Sequence, residues 1–299
     1  MIVNGIVVRG HGKSFIIRSG GQEFSCEIRG KIKYWADSTT PVAVGDDVVI
    51  STNRDGSGMI EVVEKRRSMF CRPAKGSNQD KQIIAANIDQ LAVVASVKQP
   101  TLKPGLIDRF LISAQLGNLK SLVIINKIDL GRIPLLDDLQ KAYSDIGIPN
   151  YAISAITGEG LDLLEPALAE HRTIFAGHSG VGKSTILNHL IPGLNLKVGD
   201  VSEHTNRGIH ATSSIELFEL PHGGYVVDSP GLKVLGLWEL QKKGLDRYFP
   251  ELCRFADNCR FAGCCHIPEP DCAVKNAVKD GLIPEFRYKG YVTIYNSLS

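Results

Sequence analysis

The sequence has no hydrophobic run long enough to cross a membrane. Its longest apolar stretches, such as residues 91–97, are far shorter than the roughly 20 residues that a membrane-spanning helix requires. The first residues, MIVNGIVVRGHGK, also lack the charged start, apolar stretch and small-residue cleavage site of a secretory signal peptide. We therefore expect a cytoplasmic protein with no membrane partner.

The net charge is small as well, +2 at pH 7, and by itself it indicates no polyanionic partner. The charge is uneven along the chain. Residues 1–72 carry 11 basic and 8 acidic side chains, residues 73–239 carry 14 and 17, and residues 240–299 carry 9 and 7. An acidic middle between basic ends suits flanking modules that contact nucleic acid, although imbalances of this size are more often solvated surface.

The sequence does have enough apolar side chains for a globular protein, since 43% of its 299 residues are hydrophobic and 22% are charged. Within residues 1–67, five short alternating segments predict a small closed β-barrel. The simplest candidate is an OB-fold, which commonly binds oligonucleotides, so we predict an RNA-binding domain. A barrel that only packs against its neighbour is the alternative. The five segments are residues 2–8, 14–18, 23–28, 47–51 and 58–63.

From residue 82 onward, apolar runs alternate with helical patterns, which predicts an α/β domain around a mostly parallel sheet over residues 82–237. A polar, basic connection, residues 65–67 and then 73–80, is predicted to be a linker. The predicted strands are 91–97, 121–125, 151–154 and 173–176, with an antiparallel hairpin at the sheet edge, 214–220 and 225–228. The predicted helices are 105–116, 134–146, 161–170 and 183–190, followed by 273–280 and 284–298 in a C-terminal domain, 238–299.

Residues 177–184, GHSGVGKS, match the phosphate-loop pattern G-x-x-x-x-G-K-[ST] between a predicted strand and a predicted helix. In such a loop, backbone N–H groups and the helix N-terminus bind phosphate oxygens. Lys183 is expected to reach the β and γ phosphates, and Ser184 to ligate Mg²⁺. A glycine-rich turn at the end of a strand is the alternative.

Residues 126–129, NKID, follow another predicted strand and match the N-K-x-D motif of GTP-binding proteins. Asp129 can accept hydrogen bonds from N1–H and the 2-amino group of guanine, whereas adenine has no donor there. Ser154 and Ala155 resemble the short loop that contacts guanine O6 through its backbone. Each match is weak alone, and a strand-end turn is the alternative.

Residues 228–231, DSPG, match D-x-x-G at the end of a further predicted strand. Asp228 is expected to hold Mg²⁺ through water, and the Gly231 N–H to contact the γ-phosphate. Most GTPases have the phosphate loop first, then D-x-x-G, N-K-x-D and S-A. Because N-K-x-D and S-A come before the phosphate loop here, we predict a circularly permuted GTPase domain.

A long polar segment, about residues 195–213, follows the phosphate-loop helix and is expected to be functional. Thr212 is the candidate for closing over Mg²⁺ and the γ-phosphate, with Thr205 as the alternative. Leu232 stands where many GTPases have a glutamine that orients the attacking water. We therefore predict that His210 is the catalytic residue that positions water, and a solvated loop histidine is the alternative.

Five of the seven cysteines lie between residues 253 and 272, and in a reducing compartment such a cluster favours metal binding over disulfides. Cys259, Cys264, His266 and Cys272 form a Cys₃His set that suits tetrahedral Zn²⁺. With four protein ligands the ion would be structural. Cys265 could replace Cys264, and buried free thiols are the alternative to a metal site.

Taken together, these features resemble the RsgA (YjeQ) family of circularly permuted GTPases over essentially the whole chain. The resemblance is carried by residues 126–129, 177–184, 208–212, 221–224 and 228–231 and by the four Cys₃His residues. It implies a cytoplasmic, monomeric GTP hydrolase that assists maturation of the 30S ribosomal subunit, binds 16S rRNA and is stimulated by the subunit. The family loop His-Thr-Thr-Thr is His210-Ala211-Thr212-Ser213 here, so His210 matches the histidine proposed as catalytic in the family and Thr212 the middle threonine.

The expected sites follow from these matches. The magnesium residues are Ser184, Thr212 and Asp228, and the zinc residues are Cys259, Cys264, His266 and Cys272. The GTP-binding residues are Asn126, Lys127, Ile128, Asp129, Ser154, Ala155, Gly177, His178, Ser179, Gly180, Val181, Gly182, Lys183, Ser184, Thr185 and Gly231.

Overall fold

The computed structural model describes residues 1–11, 13–28, 40–73, 81–131, 133–196, 215–228 and 240–298, and for residues 11, 72, 73, 81 and 228 the backbone only. The strands are β1 (Ile2–His11), β2 (Ser14–Ser19), β3 (Gln22–Ile28), β4 (Asp47–Thr52), β5 (Ser57–Val63), β6 (Met69–Pro73), β7 (Lys81–Ala86), β8 (Gln90–Ser96), β9 (Lys120–Asn126), β10 (Asn150–Ala152), β11 (Arg172–Ala176), β12 (Glu216–Glu219) and β13 (Tyr225–Asp228). The helices are α1 (Pro104–Leu116), α2 (Leu135–Asp145), α3 (Leu161–Leu168), α4 (Lys183–Leu190), α5 (Pro250–Ala256), α6 (Ala273–Lys279) and α7 (Glu285–Ser297), with 3₁₀ turns at Ile128–Leu130 and Leu245–Tyr248.

The first five strands close into a barrel. They pair in the order β1-β2-β3-β5-β4, and β4 returns to β1. The β3–β5 pair is parallel and the other pairs are antiparallel. Alternate residues of each strand face inward, and Ile17, Cys26, Ile50 and Ile60 are fully buried there. The predicted five-stranded OB-type barrel is confirmed.

The central α/β domain is built on parallel strands in the order β10-β9-β8-β11-β13. Every residue of β8 is buried, as expected for a strand that is covered on both faces. The predicted helices are present, with ends that differ by at most two residues from those predicted. The fold is therefore the predicted α/β arrangement.

The hairpin of β12 and β13 is antiparallel, as predicted. Its outer strand is not a free edge, however, because Arg9 of β1 pairs with Glu216 of β12. The barrel strands and the α/β strands thus form one continuous sheet of eleven strands among the described residues. The prediction that this hairpin ends the sheet is wrong, since the first barrel strand extends past its predicted end and continues the sheet.

The predicted linker between barrel and α/β domain is structured in part. Strands β6 and β7 form an antiparallel pair that was not predicted, and Phe70 in β6 is buried in the core of the α/β domain. Arg66 binds the fully buried carboxylate of Asp46 through two hydrogen bonds of 2.7 Å. This part of the predicted linker is therefore fixed to the barrel by a buried ion pair.

The C-terminal helices pack around Phe249, Leu252 and Tyr291, which are buried. Helix α7 lies against α1 of the α/β domain, and Gly290 approaches so closely that a Cβ there would be 1.9 Å from a carboxylate oxygen of Asp108. No helix among the described residues combines the length and the hydrophobicity needed to cross a membrane.

Candidate nucleotide and metal sites

The predicted nucleotide motifs meet at one edge of the sheet. Strands β9, β10, β11 and β13 run parallel to β8, either directly paired with it or through a neighbouring strand. Their last residues are Asn126, Ala152, Ala176 and Asp228. Because the carboxyl ends of parallel strands lie at the same edge, the loops that follow them are neighbours, and ligands of open α/β sheets bind there.

The phosphate loop connects β11 to α4, which begins at Lys183. Two of its glycines are required by close packing at positive φ. A Cβ at Gly177 (φ +154°) would lie 2.1 Å from the Val94 carbonyl oxygen, and one at Gly182 (φ +97°) 2.3 Å from Asn126 Nδ2. The Lys183 ammonium donates hydrogen bonds to the carbonyl oxygens of Gly177 (2.8 Å) and His178 (3.1 Å). The loop therefore curls around this lysine at the start of the helix.

Asn126 joins three of the motifs. Its side chain is buried, Nδ2 donates to the Val181 carbonyl oxygen in the phosphate loop (2.9 Å), and Oδ1 accepts from the Ala155 N–H (3.0 Å). A buried amide with both ends paired adds little to the net free energy of folding, but it fixes the positions of its hydrogen-bond partners. The asparagine of N-K-x-D thus fixes the phosphate loop and the S-A loop relative to each other.

Asp129 is exposed at the same edge, and the Ser154 hydroxyl donates to its Oδ1 at 2.6 Å. The same Ser154 oxygen accepts the Thr157 N–H at 3.2 Å. The serine of the S-A loop therefore orients the carboxylate that is expected to bind guanine. This contact supplies a role for Ser154 that the motif alone did not indicate.

Lys127 lies at positive φ (+67°), and its ammonium donates to the Gln99 carbonyl oxygen in the segment after β8. Burial lowers the pKa of Lys127, and the nearby charge of Asp129 opposes that change. The side chains of Asn126 and Lys127 thus both fix the N-K-x-D turn through hydrogen bonds to neighbouring segments.

Several predicted residues cannot be placed with the others. His210, Thr212 and Gly231, together with the alternative Thr205, lie outside the described residues. The backbone of Asp228 ends β13, opposite Glu216 of β12. The structure therefore assembles residues 126–129, 154–155 and 177–185, and the roles of all these residues in binding remain predictions.

The Cys₃His residues come together in the C-terminal region. One ligand atom from each of Cys259, Cys264, His266 and Cys272 lies within 4.8 Å of the other three. The Cys259–Cys272 Sγ distance is 3.7 Å, and His266 Nδ1 lies 3.5 and 3.4 Å from these two sulfurs. A tetrahedral zinc ion with ordinary bond lengths requires about 3.8 Å between sulfurs and about 3.5 Å from sulfur to nitrogen. The donor set therefore fits one zinc ion.

Cys265 is turned away from this group. Its N–H donates to Glu269 Oε1 (2.9 Å), and its carbonyl oxygen accepts from the Tyr291 hydroxyl (2.8 Å). Burial raises the pKa of the Cys265 thiol. Of the two adjacent cysteines, Cys264 is the one that belongs to the cluster.

Two acidic residues near the cluster were not predicted. Desolvation acts to raise the pKa of Glu269, but hydrogen bonds from Cys265 and from the Ile267 N–H (3.1 Å) lower it to about 2. Asp246 Oδ2 lies 4.0 Å from His266 Nε2, the ring nitrogen that faces away from the sulfurs. A carboxylate at that position is typical of metal-binding histidines. Neither acid belongs to a sequence motif, so only the folded arrangement reveals them.

Comparisons with known proteins agree with these features. The chain matches the family model described as RsgA GTPase over residues 63–238 and that of the RsgA N-terminal domain over residues 4–60. A Bacteroides fragilis (strain YCH46) protein named small ribosomal subunit biogenesis GTPase RsgA is 37% identical, covering 98% of this chain and 96% of that protein.

Solved structures are similar over the full length. YjeQ from Thermotoga maritima has a TM-score of 0.79 and 34% identity, and covers 100% of this chain and 99% of its own. YloQ, described as a circularly permuted GTPase, has a TM-score of 0.74 and 26% identity, with 100% and 95% coverage. The chain therefore shares its fold with solved structures that include a circularly permuted GTPase.

Proposed function

The chain belongs to the RsgA family of GTPases, and from that premise we propose that it hydrolyses GTP as a maturation factor for the 30S ribosomal subunit. The 30S role comes from the name of the relatives, small ribosomal subunit biogenesis GTPase. The observation that carries the proposal is the meeting of the N-K-x-D, S-A and phosphate-loop residues at one sheet edge. The Asp129 carboxylate can accept from both the N1–H and the 2-amino group of guanine, whereas adenine has neither donor at these positions.

We propose that Asp129 binds guanine, that residues 177–185 bind the phosphates, and that Ser184, Thr212 and Asp228 hold Mg²⁺ with the nucleotide. When bound, Mg²⁺ would supply positive charge that offsets the charge of the phosphate oxygens. The Gly231 N–H contacts the γ-phosphate. Leu232 stands where many GTPases have a water-orienting glutamine, and because leucine cannot orient water, His210 positions the attacking water instead. Hydrogen bonds to two carbonyl oxygens hold the Lys183 ammonium within the loop, which supports its proposed contact with the β and γ phosphates.

We further propose three working parts: an RNA-binding barrel over residues 1–67, the GTPase domain over residues 82–237, and a zinc domain over residues 238–299. In the cytoplasm, the barrel binds 16S rRNA and the protein acts as a monomer. One structural zinc ion is held by Cys259, Cys264, His266 and Cys272, and it stabilises the fold of this small domain.

The experiment is GTP turnover titrated with purified 30S subunits, with 50S subunits and without particles, for the unmodified protein and for His210→Ala. We expect 30S subunits alone to raise turnover, and His210→Ala to lose most of it while GTP affinity stays nearly unchanged. A second function, an RNA-binding scaffold that uses GTP only as a conformational ligand, predicts no such increase. Equal turnover with and without 30S subunits would contradict our proposal, and unchanged turnover in His210→Ala would remove that residue's role.

A further inference from the structure

Strand β12 lies between the barrel and the strand that ends at Asp228. On one side it pairs with β13 along its whole length, and on the other side it pairs with β1. Glu216 is opposite Arg9 in β1 and opposite Asp228 in β13. A single row of residues thus crosses from the barrel to the expected magnesium residue.

Both ends of β12 are also held by arginines of the barrel. Arg9 forms an ion pair with Glu216, and Arg18 forms one with Glu219 at 3.3 Å while binding Glu23 at 2.7 Å. These side chains are partly exposed, and exposed ion pairs contribute little to stability. Their effect lies in fixing the position of β12 against the barrel.

Strand β1 belongs both to the barrel and to the row of residues through β12. Its residues 2–6 pair with β4 to close the barrel, and an irregularity between Val7 and Arg9 precedes its pairing with β12. Val7 is buried in the barrel core, and its neighbour Val8 is buried in the core of the GTPase domain. A displacement of the barrel therefore acts on the row through Glu216, because packed cores transmit strain.

We propose that the Arg9–Glu216 pair couples the barrel to the GTPase domain: it transmits RNA engagement by the barrel through β12 to Asp228, and it takes no part in hydrolysis without the subunit. The inference rests on the proposed function, since it concerns how the subunit stimulates turnover. It assigns to the ion pair a role that neither the nucleotide motifs nor the barrel fold indicates.

The test measures turnover without particles and at saturating 30S subunits, together with the dissociation constant for the subunit. The variants are Arg9→Ala, Glu216→Ala and the double variant with Arg9→Glu and Glu216→Arg. Lys141→Ala, which removes an exposed ion pair with Asp145 on α2, is the matched control.

We expect each single variant to lower the stimulation ratio, which is turnover with 30S subunits divided by turnover without them, about fivefold or more. Basal turnover and subunit affinity should stay unchanged. The double variant should regain most of the ratio, and the control should keep it.

The rescue separates coupling from a direct RNA contact, because a phosphate backbone would repel Glu at position 9 whatever stands at position 216. Full stimulation in Arg9→Ala and Glu216→Ala would overturn the coupling. So would a loss that the exchanged pair does not restore. If 30S subunits do not stimulate the unmodified protein, the proposed function fails, whereas stimulation that survives both single variants removes only this inference.

Discussion

Single side chains at the sheet edge divide into those that are buried and hold the loops together and those that are exposed and are proposed to bind the nucleotide. Asn126 is buried and uses both ends of its amide within the protein. Asp129 is exposed, and the Ser154 hydroxyl donates to its Oδ1. In the motif N-K-x-D, Asn126 is thus a structural residue and Asp129 is the residue proposed to recognise guanine, so the two should respond differently to mutation.

Removal of the Asp129 carboxylate should abolish base recognition without unfolding the domain. We expect Asp129→Ala to weaken GTP binding by about 100-fold or more, because two hydrogen bonds to a charged acceptor are lost at about 1.5–3 kcal/mol each. Discrimination between GTP and ATP should fall with it. Calorimetric titration with both nucleotides measures this, and Glu159→Ala, an exposed acid in the following loop, is the control. A GTP affinity within about threefold of the unmodified protein would contradict the assignment.

At the scale of elements, helices and strands with strong periodic patterns could be predicted from the sequence. Short strands and the pairing between distant strands could not. Helices α1 to α4 and the strands of the parallel sheet follow from long apolar periodicity and from turn residues. Strands β6 and β7 were missed because they are short segments that lack a clear alternation. The extension of β1 to His11 depends on its pairing with a strand more than 200 residues away.

In the metal loop, the sequence could likewise not decide which of two adjacent cysteines belongs to the cluster. Spacing alone left Cys264 and Cys265 as alternatives. The backbone decides between them, since His266 lies at φ +62° and Glu269 accepts hydrogen bonds from two N–H groups of the loop. Cys264 thereby joins the cluster, whereas the Cys265 thiol forms a hydrogen bond with Tyr295 of α7.

The two cysteines offer a matched pair of variants for the zinc site. We expect Cys264→Ser to lose bound zinc during dialysis against a moderate chelator, because a hydroxyl replaces one of four zinc ligands. Cys265→Ser should keep about one zinc per chain. Elemental analysis by mass spectrometry measures the zinc content of both variants. Equal retention of zinc, or loss in Cys265→Ser alone, would show that the ligand set is different.

Across the whole molecule, the C-terminal domain is joined to the GTPase domain by a buried ionic cluster. Arg287 of α7 binds Asp108 of α1 and Glu251 of α5, and all three side chains are buried. Its guanidinium also lies over the rings of Phe249 and Tyr143. The sequence contains no sign of this cluster, because its members are 36 and 179 residues apart and belong to no motif.

The cluster holds one permanent positive charge and two carboxyl groups in a site without water access. Burial raises the pKa of Asp108 to about 7, with Arg287 opposing the change and Glu251 adding to it. The Asp108 carboxyl therefore keeps its proton up to near-neutral pH. Between about pH 4 and pH 7 the folded protein binds a proton that the unfolded chain has released, so stability from this group falls as pH rises through that window.

The variant Asp108→Asn should remove this pH dependence, because the amide resembles the protonated carboxyl and cannot ionise. For the unmodified zinc-loaded protein, we expect Asp108 to lower the free energy of unfolding by ~2 kcal/mol between pH 5.5 and pH 7.5. Other groups, the zinc ligands among them, contribute equally to both proteins and cancel in the difference between their urea titrations. Asp145→Asn, at an exposed ion pair, should keep the full dependence. If the unmodified protein and Asp108→Asn change in parallel with pH, then Asp108 is ionised throughout this window, which would contradict the assignment of the buried proton to this carboxyl.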